Sequence, residues 1–251
     1  MPVEIPEEIS QYMYDFIDRI IKDIGPRMPC SEPEEKAAKV IKGELEKTCD
    51  AVKIEPFTCH PRAFLGWIQI VILMVIGSAA CCLFLMPYIP IIAACLAFGV
   101  NLVALAIVWY EFFNYDEFID RLFKEQSSQN VVGTIKPQGA VKKILIFSGH
   151  HDSALQFNLL RYLKHGYFVI IFLGLFVFFI LVIVLGVNLI GTLFNLGLES
   201  ILKSWIIRLL LIGSPAFVGL FLFVWPGKKA NQVPGAIDNL SAVAIVLALG
   251  R

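Results

Sequence analysis

A run of 48 consecutive residues, 63–110, contains no Asp, Glu, Lys or Arg. Two further uncharged runs follow at residues 166–198 and 209–227. About 20 apolar residues are enough for a helix to cross the hydrocarbon core of a bilayer. Buried core helices of a soluble domain are the alternative, but a domain of this size has little place for a 48-residue uncharged run. The three runs therefore predict membrane-spanning helices.

The first run is long enough for two helices, and Pro87 and Pro90 mark a turn between them because proline blocks helix continuation. The spans predicted in this way form two hairpins, 64–86 with 91–110, and 167–190 with 206–225. Aromatic residues near the span ends, as in an interfacial belt, are Trp67, Tyr110, Tyr167, Trp205 and Trp225. The sequence thus predicts a multi-pass protein with four crossings, whose first partner is the lipid bilayer.

Basic residues are distributed unequally around these hairpins. The hairpin tips offer only Lys203, with Arg208 at the edge of the fourth span. The flanking segments carry Arg62, Arg121, Lys124, Arg161, Lys164, Lys228 and Lys229. Since short loops rich in Lys and Arg stay in the cytoplasm, the flanking segments are predicted to be cytoplasmic. An even number of crossings places all three of them on the same side.

The segments outside the uncharged runs have the composition of a soluble domain. All 42 charged residues lie in these 151 positions. The charged fraction of 42/151 is close to the ~25% of ordinary globular proteins. The 21 basic and 21 acidic residues balance, and this argues against nucleic acid as a partner. Segments 1–62, 111–165 and 227–251 are therefore predicted to assemble into one domain, interrupted by hairpins at 63–110 and 166–226.

Local patterns in these segments predict an α/β fold. Apolar residues at helical spacing predict a helix over 7–24, and the pair Ser31 and Glu34 is typical of a capping box that starts a second helix over 32–47. The continuous apolar run at 143–147 is typical of a strand buried on both faces. Further elements are predicted as an extended segment at 52–57, a helix at 111–125, a strand at 130–136 and a helix after 241.

The six cysteines contain no CxxC pair. Three of them lie in the first hairpin and three in segments predicted to be cytoplasmic, where thiols are kept reduced. Reduced structural thiols are therefore predicted, and a zinc ribbon is the weaker alternative. The cysteines are Cys30, Cys49, Cys59, Cys81, Cys82 and Cys95.

Two short polar motifs are candidates for chemistry. His150, His151 and Asp152 follow the predicted strand at 143–147, at the strand end where α/β folds bind ligands. An imidazole can bind a metal through one nitrogen while a nearby carboxylate holds the other. Asp238 and Asn239 follow a Pro-Gly pair. Taken singly, the histidines also suit a structural role, and Asp238 with Asn239 also suits a helix N-cap.

Taken together and in order, the motifs resemble the co-catalytic zinc peptidase family of aminopeptidase Y and bacterial leucyl aminopeptidases. Gly25-Pro26-Arg27, Ser31-Glu32 and the segment 52–57 are similar to the N-terminal helix–strand opening of the family. Segments 130–134 and 144–153 are similar to a strand pair of the family that ends in His-x-Asp-Ser. The last motif is Pro-Gly-Ala-x-Asp-Asn-x-Ser at 234–241. Without residues 166–226, 27 positions separate His150 from Asp238, close to the short loop found in the family.

The resemblance implies roles for three residues. His150 would bind one zinc ion, Asp238 would bridge two zinc ions, and Asp152 would orient His150. No role is carried over to His151, which occupies a variable position. Two zinc ions would polarise the scissile carbonyl and activate a bridging water. The fold implied is the N-terminal part of a mixed-sheet zinc-peptidase domain, interrupted by the two transmembrane hairpins.

The sequence departs from the family in its ligand set. The family site needs five metal-binding side chains and a general-base Glu, and no Asp or Glu follows Asp238 in this chain. The chain is therefore predicted to be a fragment of a membrane-embedded zinc aminopeptidase that acts on peptides. We expect weak or absent zinc binding and no activity in isolation, with a downstream segment or separate chain completing the site.

The alternative function is a non-catalytic membrane scaffold, or a small-molecule transport protein with a relic metal motif. Its candidate residues are the polar side chains within the spans, Gln69, Asn101 and Asn188. No ionisable residue lies deep in a predicted span, which disfavours ion-coupled transport. His60 and His165 lie beside span ends and are predicted to be interfacial.

Overall fold

The computed structural model describes residues 6–224 and 232–251. Trp225, Lys228 and Lys229, on which the predictions of span ends and orientation partly depend, lie outside these ranges. The structure is mostly helical, with 65% helix and 8% strand. The chain divides into two compact units. Unit 1 contains segments 1–61, 125–156 and 227–251, and unit 2 contains segments 62–124 and 157–226.

Helices and strands follow one another along the described residues in a simple order. The helices are α1 (Glu7–Asp23), α2 (Glu32–Leu45), α3 (Ala63–Leu85), α4 (Pro90–Ile107), α5 (Asn158–Leu163), α6 (Tyr167–Leu193), α7 (Glu199–Phe221) and α8 (Ser241–Leu249). The strands are β1 (Ala51–Cys59) and β2 (Gln126–Thr134). The helices predicted over 7–24 and 32–47, the extended segment at 52–57 and the strand at 130–136 are thus confirmed, with small shifts at their ends.

Unit 1 is built around three helices and a two-stranded sheet. Strands β1 and β2 pair antiparallel, from Ala51 opposite Thr134 to Cys59 opposite Gln126. The core residues come from α1, α2, α8 and the residue that precedes α8, with Val52 and Val131 of the strands packed against them. These core residues are Phe16, Ile20, Ile41, Leu45, Leu240, Val243, Ala244 and Leu247.

Helix α2 begins with the predicted capping residues Ser31 and Glu34, but the Glu34 side chain binds the N–H of Cys30 and not that of Ser31. The Oγ of Ser31 accepts a hydrogen bond from the backbone N–H of Glu34 at 3.4 Å. The Glu34 carboxylate accepts from the N–H of Cys30 at 2.6 Å, one residue before the N-cap. The first bond satisfies an N–H group that a helix start would otherwise leave without a partner, and the second holds the turn that precedes the helix. Glu34 is also drawn into the interior of unit 1, where it is 3% exposed.

The prediction of an α/β mixed-sheet peptidase domain is wrong. Over residues 6–224 and 232–251 the sheet has two strands, β1 and β2, and they are antiparallel. Residues 140–154 have no strand pairing within the described part of the chain, so 143–147 is not the predicted buried strand. Its apolar side chains are exposed, Ile146 by 85%. An apolar run predicts a strand only if neighbouring strands cover it, and the described segments supply none.

The helix predicted over 111–125 is also wrong. Helix α4 continues into a π-helical turn, Val108–Asn114, which ends at Tyr115 in the left-handed conformation, with φ 57°. The Glu111 carboxylate accepts a hydrogen bond from the N–H of Ile119 at 2.8 Å and so holds the following loop. A short 3-10 turn, Asp120–Leu122, follows. A left-handed residue ends a helix by redirecting the backbone, which the apolar periodicity does not reveal.

Within the described residues, unit 2 contains four helices that are long and apolar enough to cross a membrane. They comprise Ala63–Leu85, Pro90–Asn114, Asn158–Leu193 and Glu199–Phe221. They support the assignment of the chain as a membrane protein, and their number agrees with the four predicted spans. The fourth has the lowest mean hydropathy over its apolar stretch, 1.7, and the helix contains Glu199, Lys203 and Arg208.

Two buried asparagines join the helices of unit 2. The Nδ2 of Asn101 in α4 donates to the Oγ of Ser78 in α3 and to the carbonyl of Ala97 at 3.0 Å. The Nδ2 of Asn188 in α6 donates to the Sδ of Met86 at 3.2 Å. Polar side chains of this kind hold transmembrane helices together. Asn101 and Asn188 therefore take part in helix packing.

A buried carboxylate connects α1 and α2 in unit 1. The side chain of Glu44 is 5% exposed and accepts hydrogen bonds from Arg19 at 2.8 Å and Lys47 at 2.9 Å. Tyr12 donates a further bond at 3.2 Å. Burial alone would raise the pKa of Glu44, but the donors, Arg19 first, outweigh it and lower the pKa from 4.5 to about 2.

This carboxylate predicts that unit 1 loses stability in acid. A group whose folded-state pKa is depressed stabilises the fold above its unfolded pKa, and the stabilisation is lost as pH falls through the folded pKa. We expect the free energy of opening α1 and α2 to fall by up to ~3 kcal/mol between pH 5 and 2. Hydrogen exchange over residues 7–45 measures this free energy of opening. Glu44→Gln should remove this pH dependence, whereas Glu32→Gln, at an exposed ion pair with Lys36, should preserve it.

Candidate functional site

The two polar motifs of the sequence meet in unit 1. Segment 148–153 follows the exposed apolar run and has no regular secondary structure. Gly149 packs so closely on the start of α8 that an added Cβ would lie 3.0 Å from the backbone nitrogen of Val243. Because Asp238 lies in the turn Ala236–Leu240 that leads into α8, this approach brings His150 beside Asp238.

His150 lies between the two aspartates of the predicted motifs. Its Nδ1 is 2.9 Å from Oδ1 of Asp152, and its Nε2 is 3.2 Å from Oδ1 of Asp238. The His150 side chain is 53% exposed and that of Asp238 is 78% exposed. Residues 88 positions apart in the chain are thus neighbours, and their functional atoms are open to solvent.

The backbone around Asp238 turns the carboxylate toward His150. Gly235 adopts φ 66°, and the helical turn Ala236–Leu240 is interrupted at Asp238 and Asn239, which have non-helical dihedral angles. Helix α8 has no side-chain hydrogen bond at its N-cap. The helix-cap alternative for Asp238 is therefore wrong in this structure, where the Asp238 carboxylate faces His150.

Arg27 holds the two motifs in place, although the sequence does not identify it as a site residue. Its side chain is fully buried. Its Nε donates to the carbonyl of His151 at 2.8 Å, and its Nη2 donates to the carbonyl of Gly235 at 3.4 Å. Its Nη1 donates to the carbonyl of Gly25 at 2.6 Å. Burial lowers the pKa of Arg27 to about 10, and the nearby Asp152 opposes this shift.

Backbone bonds add to this connection. The N–H of Arg27 donates to the Oγ of Ser153 at 2.8 Å, and the N–H of Ser153 donates to the carbonyl of Arg27 at 2.7 Å. The sequence signal for this arrangement is present in two motifs, Gly25-Pro26-Arg27 and the serine that follows Asp152. The sequence does not show that Arg27 and Ser153 bind each other, because they are far apart in the chain.

His151 is placed differently from His150. Its side chain is 13% exposed, and its Nε2 lies 3.7 Å from Oε1 of Glu34. That Glu34 oxygen accepts a hydrogen bond from the Oγ of Ser128 at 2.7 Å. Burial raises the pKa of Glu34 and lowers the pKa of His151. His151 therefore faces α2 and the interior of unit 1.

The donor types suit zinc, but the ligand number is small. With Nδ1 of His150 held by Asp152, Nε2 is the nitrogen that faces Asp238, and imidazole with carboxylate is a common zinc ligand combination. Protein zinc sites supply three or four ligands. Among residues 6–224 and 232–251, no group of three or more His, Cys, Asp or Glu side chains is arranged to hold a metal ion. His150 and Asp238 thus provide two ligands.

An apolar groove of about 520 Å³ lies in unit 2. It lies between α3 and α7, and Ile72, Leu210 and Phe217 contribute to its walls. Such a surface suits hydrocarbon and carries no group for acid–base or metal chemistry. The chemistry-bearing residues that meet are those of unit 1.

Comparisons of the chain with protein-family models, with curated proteins and with solved structures give no match. Membership of a zinc peptidase family therefore stays a prediction from the sequence motifs.

Proposed function

We propose that unit 1 carries the His-Asp part of a two-zinc aminopeptidase-type site in a membrane protein. The observation that carries the proposal is the position of His150, whose two ring nitrogens face Asp152 and Asp238 at 2.9 and 3.2 Å. In a zinc peptidase, a second carboxylate on the far ring nitrogen orients the ligand histidine. The proposed substrates are peptides with free N-termini.

Each residue has a defined task under this proposal. Asp152 accepts the proton of Nδ1, which fixes the tautomer and presents Nε2 of His150 to a metal ion. Asp238 offers two carboxylate oxygens, enough to bridge two ions. Zinc, when bound, would polarise the peptide carbonyl and lower the pKa of a bound water. Further ligands and a general base are required from another polypeptide segment or subunit, so the chain alone is inactive.

The membrane orientation belongs to the same proposal. Segments of unit 1 are placed in the cytoplasm because Lys and Arg are concentrated beside the hairpins and not at their tips. Two hairpins return the chain to the same side each time. This topology supports the assembly of unit 1 from three separate segments on one side of the bilayer.

Zinc titration of the purified full chain tests the proposal. We expect weak but saturable binding that falls about tenfold or more in His150→Ala and in Asp238→Asn, because each removes one of two ligands. Asp152→Asn should weaken binding by ~10–100-fold, since it removes the group that orients His150. A chromophoric chelator competing for zinc gives the dissociation constants.

The matched control is His165→Ala, which removes an exposed histidine of unit 2. It should leave the zinc affinity unchanged. Equal affinity in wild type, His150→Ala and Asp238→Asn would contradict the proposed site. Release of amino acids from a peptide by the wild-type chain with zinc alone would contradict the need for further ligands and a base.

A non-catalytic membrane scaffold is the second candidate function. It is favoured by the small ligand number at His150 and Asp238 and by the packing role of Asn101 and Asn188 in unit 2. It predicts no specific zinc binding, and it predicts that Asn101→Ala or Asn188→Ala disrupts the helix bundle. The zinc titration separates the two functions directly.

A further inference from the structure

Two cysteines of unit 1 lie in contact although they are 29 positions apart in the chain. Cys30 lies in the turn that precedes α2, and Cys59 is the last residue of β1. Their Sγ atoms are 3.2 Å apart. Both side chains are partly exposed, so small molecules in solution can reach them.

We propose that Cys30 and Cys59 form a redox-active dithiol, which closes to a disulfide when a small-molecule disulfide such as oxidised glutathione is available. A disulfide bond is ~2.05 Å long, so closure requires the sulfurs to approach by roughly 1 Å. Side-chain rotation supplies a movement of this size. The proposal is independent of the zinc-peptidase function.

The reaction is an ordinary thiol–disulfide exchange in two steps. The thiolate of Cys59 attacks one sulfur of oxidised glutathione, which breaks its S–S bond and releases one glutathione thiolate. Cys30 then loses its proton and attacks the Cys59 sulfur of the mixed disulfide, releasing the second glutathione. Two protein thiols are oxidised, the glutathione disulfide is reduced to two thiols, and the protons end on the released glutathione.

The order of attack follows from the surroundings of the two thiols. Burial, followed by the hydrogen bond and the proximity of Cys59, raises the pKa of Cys30 to about 12. The thiolate is the attacking species, so Cys30 is the poorer first nucleophile. Its attack becomes intramolecular once Cys59 carries glutathione, and proximity then favours it.

Closure would affect the turn that leads into α2. Cys30 has φ 62°, a left-handed conformation that is unfavourable for residues other than glycine. Its N–H donates to Glu34, and Glu34 lies 3.7 Å from His151. A disulfide would tie this turn to the end of β1. The constraint would therefore reach the interior residues beside the candidate metal site.

Peptide mapping of the oxidised full chain tests the proposal. The protein in detergent is incubated with oxidised glutathione, its remaining thiols are alkylated in acid, and it is digested with trypsin without reduction. Cys30 falls in peptide 28–36, Cys59 in peptide 54–62, and Cys49 in peptide 48–53. We expect peptides 28–36 and 54–62 to appear as one species, lighter by two hydrogens than their sum, and to separate on reduction.

Variants identify the order of attack and provide the control. Cys30→Ser should leave Cys59 as a stable mixed disulfide with glutathione, and Cys59→Ser should leave Cys30 largely unmodified. Cys49→Ser, which replaces another partly buried thiol of unit 1, should leave the linked species unchanged. Absence of the linked species in oxidised wild type, or linkage of peptide 48–53 to either partner in its place, would overturn the proposal.

Discussion

Replacing Arg27 with methionine is expected to lower the free energy of unfolding of unit 1 by about 3–5 kcal/mol. The substitution removes a fully buried guanidinium and leaves the carbonyls of Gly25, His151 and Gly235 without their donors. Each buried carbonyl that loses its hydrogen bond costs ~1–3 kcal/mol. The measurement is hydrogen exchange over segments 25–30, 148–156 and 233–240, where protection should fall together.

The effect should be local and should follow from the hydrogen bonds of Arg27. Lys39→Met removes an exposed cation from α2 and should change the free energy of unfolding by no more than ~0.5 kcal/mol. Arg27→Lys keeps the charge but cannot reproduce three separately directed N–H bonds, so we expect an intermediate loss. If Arg27→Met were no more destabilising than Lys39→Met, Arg27 would not hold the two motifs together.

Gly235→Ala is expected to destabilise the same region by about 2–3 kcal/mol. Gly235 adopts φ 66°, and an added Cβ would lie 2.8 Å from the Cβ of Ser153 and 2.9 Å from the carbonyl oxygen of Asp238. Both the backbone angle and the close contacts oppose any side chain. The strain should appear as lost hydrogen-exchange protection over 233–240. Under the proposed zinc site it should also weaken zinc binding, since Asp238 would be displaced.

A glycine in open surroundings provides the comparison. Nothing lies within 4 Å of a Cβ added at Gly139, so Gly139→Ala should leave both measurements unchanged. Because the new methyl at position 235 would also press on Nη2 of Arg27, at 2.9 Å, the effects of Gly235→Ala and Arg27→Met should add incompletely. Full additivity would show that the two residues act independently.

The elements predicted correctly are those specified by local patterns. Helix α1 follows from apolar spacing, helix α2 from the Ser31 cap, and the four long apolar helices from the uncharged runs. Strands β1 and β2 also follow from local patterns, although their pairing with each other does not. These features depend on residues within one or two turns of each other, so the sequence alone contains their cause.

Apart from the helix predicted over 111–125, which a left-handed residue at Tyr115 interrupts, the errors concern interactions between distant segments. The apolar run at 143–147 has the composition of a central strand, but a strand is defined by its neighbours, and its side chains are exposed in this structure. In the sequence Arg27 resembles any other charged residue, because burial of a cation depends on carbonyls supplied by segments more than a hundred positions away. The proximity of His150 and Asp238 is expected only from the family resemblance.

The pairing of Cys59 with Gln126 has a consequence for biosynthesis. These residues are opposite each other at the end of the antiparallel pair, so everything between them, including the first two spans, is topologically the loop of one β-hairpin. The ribosome must complete that loop before the second strand exists. Sheet closure therefore comes after synthesis of the first two spans, and delayed membrane insertion would leave the edge of β1 open to other chains.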